Sequence, residues 1–292
     1  MVTTESASSR YSSIEDWSSL ELVDGIIEGQ FTAIGAVQAA RADIARAIDA
    51  MAVRLAEGGR IIYLGAGTSG RVAAQDGAEL PPTFNWPYER AITLMAGGPG
   101  ALLRAVENAE DNREAAVAGL QEVGVHPSDV VIGIAASGNT PYVVAGLEHA
   151  RAMGALTIGM LNNPGGLVGR AAEISILLDT GAELLAGSTR MKAGTAQKAA
   201  MIALSTSVMV RLGYVYRGKM VEMRPTNAKL RERSVLMVAD LTGADHDKAR
   251  ATLGQAGGVI KLAVVMLERS LDAAQAQAAL DGAGGNLRKA LA

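Results

Sequence analysis

The most constraining feature of the sequence is one strand–turn–helix between residues 60 and 84. The apolar run 61–64 is typical of a buried strand in a parallel sheet. It leads directly into Gly65-Ala-Gly-Thr-Ser-Gly70, which has little side-chain bulk and offers backbone N–H groups and hydroxyls at the start of a helix. Such a turn is suited to bind a phosphate. We therefore predict a phosphate-binding turn that contains Thr68, Ser69 and Gly70.

The helix after this turn carries a carboxylate, Glu79, and Pro81-Pro82 follows at once. We expect the helix to end there and to leave Glu79 beside the turn. The glycine spacing also fits a dinucleotide-binding fingerprint. That site needs an acidic residue at the end of the second strand, where this sequence has Met95-Ala-Gly-Gly98. We therefore reject a dinucleotide site.

The composition excludes several classes of protein. With 292 residues, the chain is long enough for one large domain or two small ones. Its 27 basic and 30 acidic residues are nearly balanced, which argues against binding to nucleic acid or to an anionic membrane. The chain has no cysteine, so disulfides and thiol chemistry are excluded. No apolar run reaches the length of a membrane span, and we expect a soluble, cytoplasmic protein.

Apolar periodicity predicts an α/β fold with a doubly wound, parallel, five-stranded sheet. The first ten or so residues are polar and rich in serine, so we expect an arm that is ordered only where it contacts something else. Two helices with one apolar side follow, before the first strand. The pattern then predicts strands at about 90–96, 129–135, 156–161 and 174–178, and helices at about 100–123 and 140–153. A ligand of such a sheet belongs at the carboxyl ends of the strands.

A second turn of the same kind follows the third strand, in Ser137-Gly-Asn-Thr140, and Pro141 opens the next helix. One such turn on its own is commonly no more than a helix cap. Two of them on strands that lie close together can hold a single phosphate. A sugar phosphate is then the natural ligand. The predicted binding residues of this turn are Ser137, Gly138, Asn139 and Thr140.

A third candidate segment, Gly187-Ser-Thr-Arg-Met-Lys192, opens a long apolar helix that Ser188 or Thr189 can cap. Arg190 and Lys192 place positive charge in its first turns, where it opposes the helix dipole. The stability of the helix therefore does not explain why cations stand at this end, whereas binding of an anionic ligand does. The alternative explanation is that the two cations belong to a basic face exposed to solvent. We include Ser188 and Lys192 among the predicted binding residues.

The predicted helix 100–123 is rich in carboxylates, including Glu107, Glu110 and Glu114. Their spacing allows surface ion pairs, which is the default explanation for each of them. The charge pattern alone therefore does not select Glu110. The three histidines are scattered without the spacing of metal ligands, so we predict no metal site.

Five blocks of the sequence are specific when they occur together: Gly-Ala-Gly-Thr-Ser-Gly-Arg (65–71), Ala-Glu-x-Pro-Pro-Thr (78–83), Ala-Glu-Asp (109–111), Gly-Ile-Ala-Ala-Ser-Gly-x-Thr-Pro-Tyr (133–142) and Gly-Ser-Thr-Arg-Met-Lys-Ala-Gly-Thr-Ala-Gln-Lys (187–198). Together they resemble the N-acetylmuramic acid 6-phosphate etherase family, which has the sugar-isomerase (SIS) fold. The resemblance covers the chain from about residue 14 to its end.

This resemblance implies a homodimeric, cytoplasmic lyase without a cofactor. Its substrate would be a phosphorylated amino sugar, N-acetylmuramic acid 6-phosphate, from which it removes D-lactate to give N-acetylglucosamine 6-phosphate in cell-wall recycling. Glu79 matches the family's proton donor, and Glu110 matches its second acid–base residue. The division of roles between these two carboxylates is less firmly implied than the pair itself.

Two other functions remain open from the residues themselves. One is an aldose–ketose sugar-phosphate isomerase on the same fold, which often uses a histidine to open the sugar ring; no histidine lies in a predicted phosphate turn. The other is a non-catalytic sugar-phosphate sensor, which needs an output element. Neither end of the chain shows a basic recognition helix.

We predict three regions along the chain. They are an N-terminal arm with helices (1–50), an SIS domain (51–240) and a small helical module (241–292) that resembles the family's ubiquitin-associated (UBA)-like tail. The module contains a weak internal repeat, because residues 251–258 and 278–285 share Ala, Leu, Ala and a Gly pair at equal offsets. We therefore expect a similar helix and turn to occur twice.

Overall fold

The structure, a computed structural model, describes residues 3–225 and 227–292. These residues form two compact units. The first contains the chain up to Ala78 together with Tyr88–Thr206. The second contains Glu79–Pro87 and Ser207–Ala292. The predicted region boundaries near residues 50 and 240 stay predictions.

The first unit is built on one sheet of five parallel strands. The strands are β1 (Ile61–Gly65), β2 (Ala91–Met95), β3 (Val130–Ala135), β4 (Leu156–Leu161) and β5 (Ile174–Leu177). Their order across the sheet is β2-β1-β3-β4-β5. Every residue of β1, β3 and β4 is buried, as expected for uninterrupted apolar runs in an α/β sheet. The predicted five-stranded parallel sheet is confirmed.

Two helices precede the sheet, as predicted: α1 (Ser19–Ala39) and α2 (Arg41–Ala56). A capping box fixes the start of α1, because the Ser18 N–H donates to the Glu21 carboxylate and the Glu21 N–H donates to the Ser18 hydroxyl. One face of α2 is buried through Ile44, Ala47, Met51 and Leu55. Their spacing of three or four residues is the apolar pattern that predicted this helix.

The remaining helices that begin in the first unit follow the strands. They are α3 (Gly67–Phe84), α4 (Arg113–Glu122), α5 (Pro141–Ala152), α6 (Leu167–Ala171) and α7 (Lys192–Arg211). Helix α5 packs very closely on the sheet, since a Cβ added to Gly146 would lie 2.5 Å from Leu64 Cδ1. A larger side chain at that position would push the helix away from the strands.

The predicted end of α3 is wrong. The helix continues through Pro81 and Pro82 and ends at Phe84. A proline gives up its own N–H bond and crowds the preceding turn, but both prolines lie in the last turn, where little helix remains to be disrupted. The helix stops at Asn85, which has a φ of 53° and donates its N–H to the Pro81 carbonyl at 2.8 Å.

The predicted continuous helix over 100–123 is also wrong. The structure has two short 3-10 turns, Pro99–Leu102 and Ala109–Asp111, and only then helix α4. Asn108 adopts a left-handed conformation with a φ of 59°, which interrupts helical geometry. The Asn112 side chain accepts a hydrogen bond from the Ala115 N–H at 2.9 Å and caps α4. Two asparagines thus separate the acidic segment from the helix.

A buried ion pair joins the starts of β1 and β3. Asp129 is 1% exposed, and its carboxylate lies 2.6 Å from Nη2 of Arg60. The backbone N–H groups of Arg60 and His126 also donate to this carboxylate, at 3.0 and 2.9 Å. Burial alone would raise the pKa of Asp129, but the guanidinium and these N–H groups outweigh it and lower that pKa. The pair stabilises the edge of the sheet opposite to the strands' carboxyl ends.

We expect Asp129→Asn to lower the free energy of unfolding by about 2–3 kcal/mol at neutral pH, because it weakens hydrogen bonds to a charged group. The pKa of Asp129 is lower in the folded than in the unfolded chain, so its carboxylate stabilises the fold above the unfolded pKa of about 4. This contribution is lost as the pH falls through the folded pKa. The difference between wild type and variant should therefore shrink below about pH 4.

Urea unfolding of both proteins over a range of pH measures this difference. The exposed Asp16→Asn is the matched control and should change stability by less than about 0.5 kcal/mol. A difference for Asp129→Asn that stayed constant into the acid range would contradict the ionic role of this pair.

The second unit is mainly helical and has its own apolar core, which includes Val238, Leu253, Val264 and Leu280. It contains a hairpin of β6 (Val215–Tyr216) and β7 (Lys219–Met220), then α8 (Ala228–Thr242), α9 (His246–Gln255), α10 (Ile260–Arg269), α11 (Ala273–Gly282) and α12 (Leu287–Ala290). The predicted helical C-terminal region is confirmed. Within 3–225 and 227–292, no single helix is long and apolar enough to cross a membrane; α9 and α10 meet that test only as a pair bent by 115°.

The internal repeat corresponds to a repeated helix ending, as predicted. After α9, Gly257 and Gly258 have φ values of 61° and 83°, and after α11, Gly284 and Gly285 have φ values of 62° and 74°. In both cases the second glycine donates its N–H to the carbonyl of the leucine five residues earlier, which is Leu253 in the first copy and Leu280 in the second. The shared Leu and Gly pair therefore encode the same way of ending a helix.

Candidate active site

The first predicted phosphate-binding turn is formed by the close approach of two glycines. A Cβ added to Gly65 would lie 2.6 Å from Gly70 Cα, and one added to Gly70 would lie 2.9 Å from the Gly65 carbonyl oxygen. Only glycine fits at both positions, so β1 passes into α3 with almost no intervening loop. Thr68, Ser69 and Gly70 consequently occupy the first turn of α3. The Gly70 N–H donates to the Ala66 carbonyl at 3.1 Å, whereas the first N–H groups of a helix have no partner within it.

The second turn, Ser137–Thr140, is held by its own side chains. The Ser137 hydroxyl oxygen accepts the Asn139 N–H at 3.2 Å, which leaves the hydroxyl hydrogen for another acceptor. The Asn139 amide donates to the Ser137 carbonyl at 3.3 Å and accepts the Leu167 N–H at 3.1 Å. Asn139 therefore shapes the turn and links it to the start of α6.

The third segment, 187–192, leads into α7. The residue that caps this helix is not one of the two that we predicted. Neither Ser188 nor Thr189 caps the helix. The carboxylate of Glu183 does so, because it accepts the N–H groups of Lys192 and Ala193 at 3.2 and 2.9 Å. Burial raises the pKa of Glu183, although these two N–H groups act in the opposite direction. An anion of the chain itself therefore occupies this helix end.

The three segments lie at the same edge of the sheet. Strands β1 and β3 are neighbours with Gly65 paired to Ile134, so the two turns that follow them are adjacent. The start of α7, into which the third segment leads, lies beside the first turn, since a Cβ added to Gly194 would lie 3.3 Å from the Thr68 methyl carbon. The structure thus brings together the hydroxyl-bearing turns at the carboxyl ends of the strands, where a ligand of an α/β sheet binds.

Glu110 lines a cleft beside the first turn. It lies in the 3-10 turn Ala109–Asp111 and is exposed. The cleft has a volume of about 230 Å³, and Gly67 and Arg71 form part of its wall. A carboxylate is therefore placed next to the predicted phosphate-binding turn within one unit. Among the described residues, no group of three or more His, Asp or Glu side chains is arranged to hold a metal ion.

Glu79 lies further along α3 than the first turn and is exposed. It is grouped with the second unit, whereas Glu110 belongs to the first. The expectation that Glu79 sits beside the turn depended on the helix ending at Pro81, and that reason no longer holds. The pairing of Glu79 with Glu110 stays a prediction.

Comparison with known proteins identifies the family. A protein from Deinococcus radiodurans named N-acetylmuramic acid 6-phosphate etherase is 47% identical to this chain over 288 residues, which cover 99% of this chain and 94% of that protein. The chain belongs to the N-acetylmuramic acid 6-phosphate etherase family. A second etherase, from Cronobacter sakazakii, is 48% identical over 249 residues, or 85% of this chain and 84% of its own length. The family predicted from the five sequence blocks is confirmed.

Two further comparisons concern the sheet-containing region. Residues 43–151 match the family described as the glucokinase regulatory protein N-terminal SIS domain. A solved phosphoheptose isomerase from Francisella tularensis is 19% identical with a TM-score of 0.49, and the match covers 67% of this chain and 98% of that chain. The predicted SIS fold is confirmed by the matched SIS family and by the five parallel strands of this etherase-family chain.

Arg71 is a site residue that the sequence reasoning did not select. Its guanidinium donates from Nε to the Leu102 carbonyl at 3.1 Å and from Nη2 to the Ala101 carbonyl at 2.9 Å. It therefore ties the start of α3 to the segment that carries Glu110. Its place directly after the glycine turn, in the etherase block 65–71, was the available signal.

A buried network fixes α3 within the first unit. Asp76 accepts hydrogen bonds from the Tyr63 hydroxyl at 2.8 Å and from the Ser205 hydroxyl at 3.1 Å. Burial, and then the neighbouring Asp76 carboxylate, raise the pKa of Tyr63 well above its usual value. Tyr63 lies on β1 and Ser205 on α7, so one carboxylate joins three elements of the etherase fold.

We expect Arg71→Met to loosen the segment 99–111 while leaving the sheet intact. The variant keeps most of the apolar stem and removes two hydrogen bonds worth roughly 1 kcal/mol each, so amide hydrogen exchange in that segment should accelerate about ten- to thirtyfold. Mass spectrometry of exchanged peptides measures this. Arg104→Met, which removes an exposed guanidinium from the same segment, is the matched control. Equal exchange in both variants would show that Arg71 does not hold the segment.

Proposed function

We propose that this chain is an N-acetylmuramic acid 6-phosphate etherase, a carbon–oxygen lyase that releases D-lactate and forms N-acetylglucosamine 6-phosphate. The observation that carries the proposal is a cleft lined by Glu110 and by the start of the glycine turn 65–70, in a chain of this family. A cytoplasmic location is part of the same proposal and is implied by the family. No cofactor enters the reaction as proposed.

The phosphate of the sugar is proposed to bind at the three segments on the sheet edge. Ser69 and Ser137 stand at the starts of α3 and α5, where N–H groups and the helix dipole favour an anion. Thr68, Gly70, Gly138 and Thr140 complete these two turns. Ser188 and the Lys192 ammonium would add a hydroxyl and a positive charge from the third segment. Asn139 contributes by holding the Ser137 turn in shape.

The chemistry of the substrate requires an acid and a base. In the open-chain sugar, the aldehyde acidifies the hydrogen on carbon 2, and the lactyl ether on carbon 3 is a leaving group in the β position. A base removes that hydrogen, the double bond between carbons 2 and 3 forms, and the ether bond breaks. The lactate alkoxide leaves as an alcohol only if an acid protonates its oxygen. Water then adds to carbon 3 and a proton returns to carbon 2.

Two glutamates are proposed to perform these proton transfers. We assign Glu79 to the ether oxygen, as the acid, and Glu110 to proton transfer at carbon 2 or at water. The roles reverse in the hydration step, in which the carboxylate that gave up its proton takes one from water and the protonated carboxyl returns one to carbon 2. The exposed position of Glu110 on the cleft wall leaves its carboxylate accessible to a bound sugar. Both side chains would have to meet at one substrate, which is the part of the proposal that kinetics must test.

We expect the purified protein to release D-lactate from N-acetylmuramic acid 6-phosphate in deuterated water and to place deuterium on carbon 2 of the product. Lactate assays and mass spectrometry measure these two results. Deuterium uptake without lactate release, or formation of a ketose, would instead identify an isomerase. Binding without any turnover would identify a sugar-phosphate sensor.

Glu79→Gln and Glu110→Gln should each lower kcat by about a hundredfold or more, because each removes an acid–base group. Both variants should keep the thermal stabilisation that the sugar phosphate gives to the wild type. Glu114→Gln, an exposed carboxylate on α4, is the matched control and should stay within about twofold of the wild type. Normal turnover by either active-site variant would refute its assigned role.

The proposed enzyme is a homodimer, and an exposed face of α1 supports this. Five apolar side chains spaced by three or four residues are exposed along this helix, and Leu20 and Phe31 are 70% and 75% exposed. The stripe consists of Leu20, Val23, Ile27, Phe31 and Ile34. A continuous apolar stripe of this kind is typical of a surface covered by another chain. A second copy is the partner that the family implies.

We expect the wild type to sediment as a dimer and Phe31→Asp to sediment as a monomer at the same concentration. A carboxylate in the middle of the stripe would have to be buried without a partner. Met153→Asp, which charges an exposed apolar residue at the end of α5, should leave the dimer intact. A monomeric wild type would refute the proposed dimer, and a dimeric Phe31→Asp would refute this surface.

A further inference from the structure

The N-terminal arm is ordered by the candidate site. Thr3–Glu5 forms a 3-10 turn, and Thr4 is 0% exposed although it lies almost at the end of the chain. Chain ends are usually mobile unless specific contacts hold them. We expected the arm to be ordered only where it contacts something else. It forms hydrogen bonds with two residues at the carboxyl edge of the sheet, Asn163 and Gly187.

Asn163, just beyond β4, forms the main contact with the arm. Its side-chain oxygen accepts the Thr3 hydroxyl at 2.7 Å and the Thr4 N–H at 3.2 Å. Its side-chain nitrogen donates to the Thr4 hydroxyl at 2.9 Å and to the Ala136 carbonyl at 2.7 Å. Asn163 is buried and uses both its acceptor sites and both its donors. A buried amide satisfied in this way has one orientation.

These contacts connect two of the three proposed phosphate-binding segments. Ala136 directly precedes Ser137, so the Asn163 amide fixes the start of the second turn. On the other side, the Gly187 N–H donates to the Thr4 carbonyl at 2.8 Å, so the arm fixes the start of the third segment. The chain of contacts runs from Ala136 through Asn163 and Thr4 to Gly187.

The backbone at Gly187 is adapted to the arm. Gly187 has a φ of 77°, and a Cβ added to it would lie 2.8 Å from a carboxylate oxygen of Glu5. The backbone conformation therefore favours glycine at this position, and the carboxylate of Glu5 lies against it. The arm thus contacts the third segment through the Thr4 carbonyl and the Glu5 side chain.

We propose that Thr4 and Asn163 are positioning residues of the phosphate site, which set the distance between the Ser137 turn and the Ser188 segment. This inference rests on the proposed function of those two segments. Neither residue lines the Glu110 cleft. The phosphate is bound equally in the ground state and in the transition state, so loss of positioning raises KM and leaves kcat unchanged.

Two variants remove different contacts of the chain that runs from Ala136 through Asn163 to Thr4. Thr4→Val keeps the volume of the side chain and removes the hydroxyl that Asn163 contacts. Asn163→Asp keeps the acceptor oxygen and replaces the donor that holds the Ala136 carbonyl with an oxygen that repels it. Ser12→Ala is the matched control, because this exposed hydroxyl in the same region bonds only to the nearby Ser9 carbonyl.

We expect KM for N-acetylmuramic acid 6-phosphate to rise about three- to tenfold in Thr4→Val and at least as much in Asn163→Asp, which corresponds to the loss of one hydrogen bond. Values of kcat should stay within about twofold, and Ser12→Ala should match the wild type. Circular dichroism verifies that each variant is folded. Should Asn163→Asp not fold, Thr4→Val and a deletion of residues 1–4 decide the question.

An unchanged KM in folded Thr4→Val and in the deletion variant overturns the inference, and so does a fall in kcat at constant KM. A wild type without any lactate release overturns the proposed function instead. In that case the arm is tested by thermal shift with N-acetylglucosamine 6-phosphate as the probe. A shift in the wild type that is reduced in Thr4→Val supports the positioning role, and equal shifts refute it.

Discussion

The close approach of the Gly65 and Gly70 backbones determines where the candidate site can form. Because no side chain separates them, β1 enters α3 without a loop, and the first turn of that helix lies at the carboxyl edge of the sheet. Strand β1 lies between β2 and β3, so the segments that follow those neighbours reach the same edge. One brings Glu110 and the other brings Ser137. A bulkier residue at either glycine would displace the element around which both are arranged.

The strands and the N-terminal helices could be predicted from the sequence because their signals are local. The runs that became β1, β3 and β4 are apolar at nearly every position, and the buried residues of α2 recur at helical spacing. Two helix boundaries were predicted wrongly because of single residues. Pro81 was expected to end α3, but a proline in the last turn of a helix does not interrupt it. Asn108 and Asn112 divide the segment 100–123, whose charge spacing is typical of a helix.

The residues that hold the site together could not be predicted in this way, since their contacts join distant parts of the chain. Asn163 contacts Thr4 across 159 positions, and Arg71 reaches carbonyls that follow β2. An asparagine or arginine of this kind has no periodic neighbour that reveals its partner. The five blocks led to the correct family, but they gave no indication of which side chains fix the turns and which remain available to a ligand.

The position of Glu183 limits where a phosphate can bind. A buried carboxylate already takes the first N–H groups of α7, and a second anion at the same helix end would meet both its charge and a lack of free donors. The starts of α3 and α5 carry no such internal anion among the described contacts, and they lie on neighbouring strands. We therefore propose that the phosphate binds between the Ser69 and Ser137 turns. The segment 187–192 would then contribute through the side chains of Ser188 and Lys192, and the hydrogen bond between Thr4 and Gly187 helps to define its path.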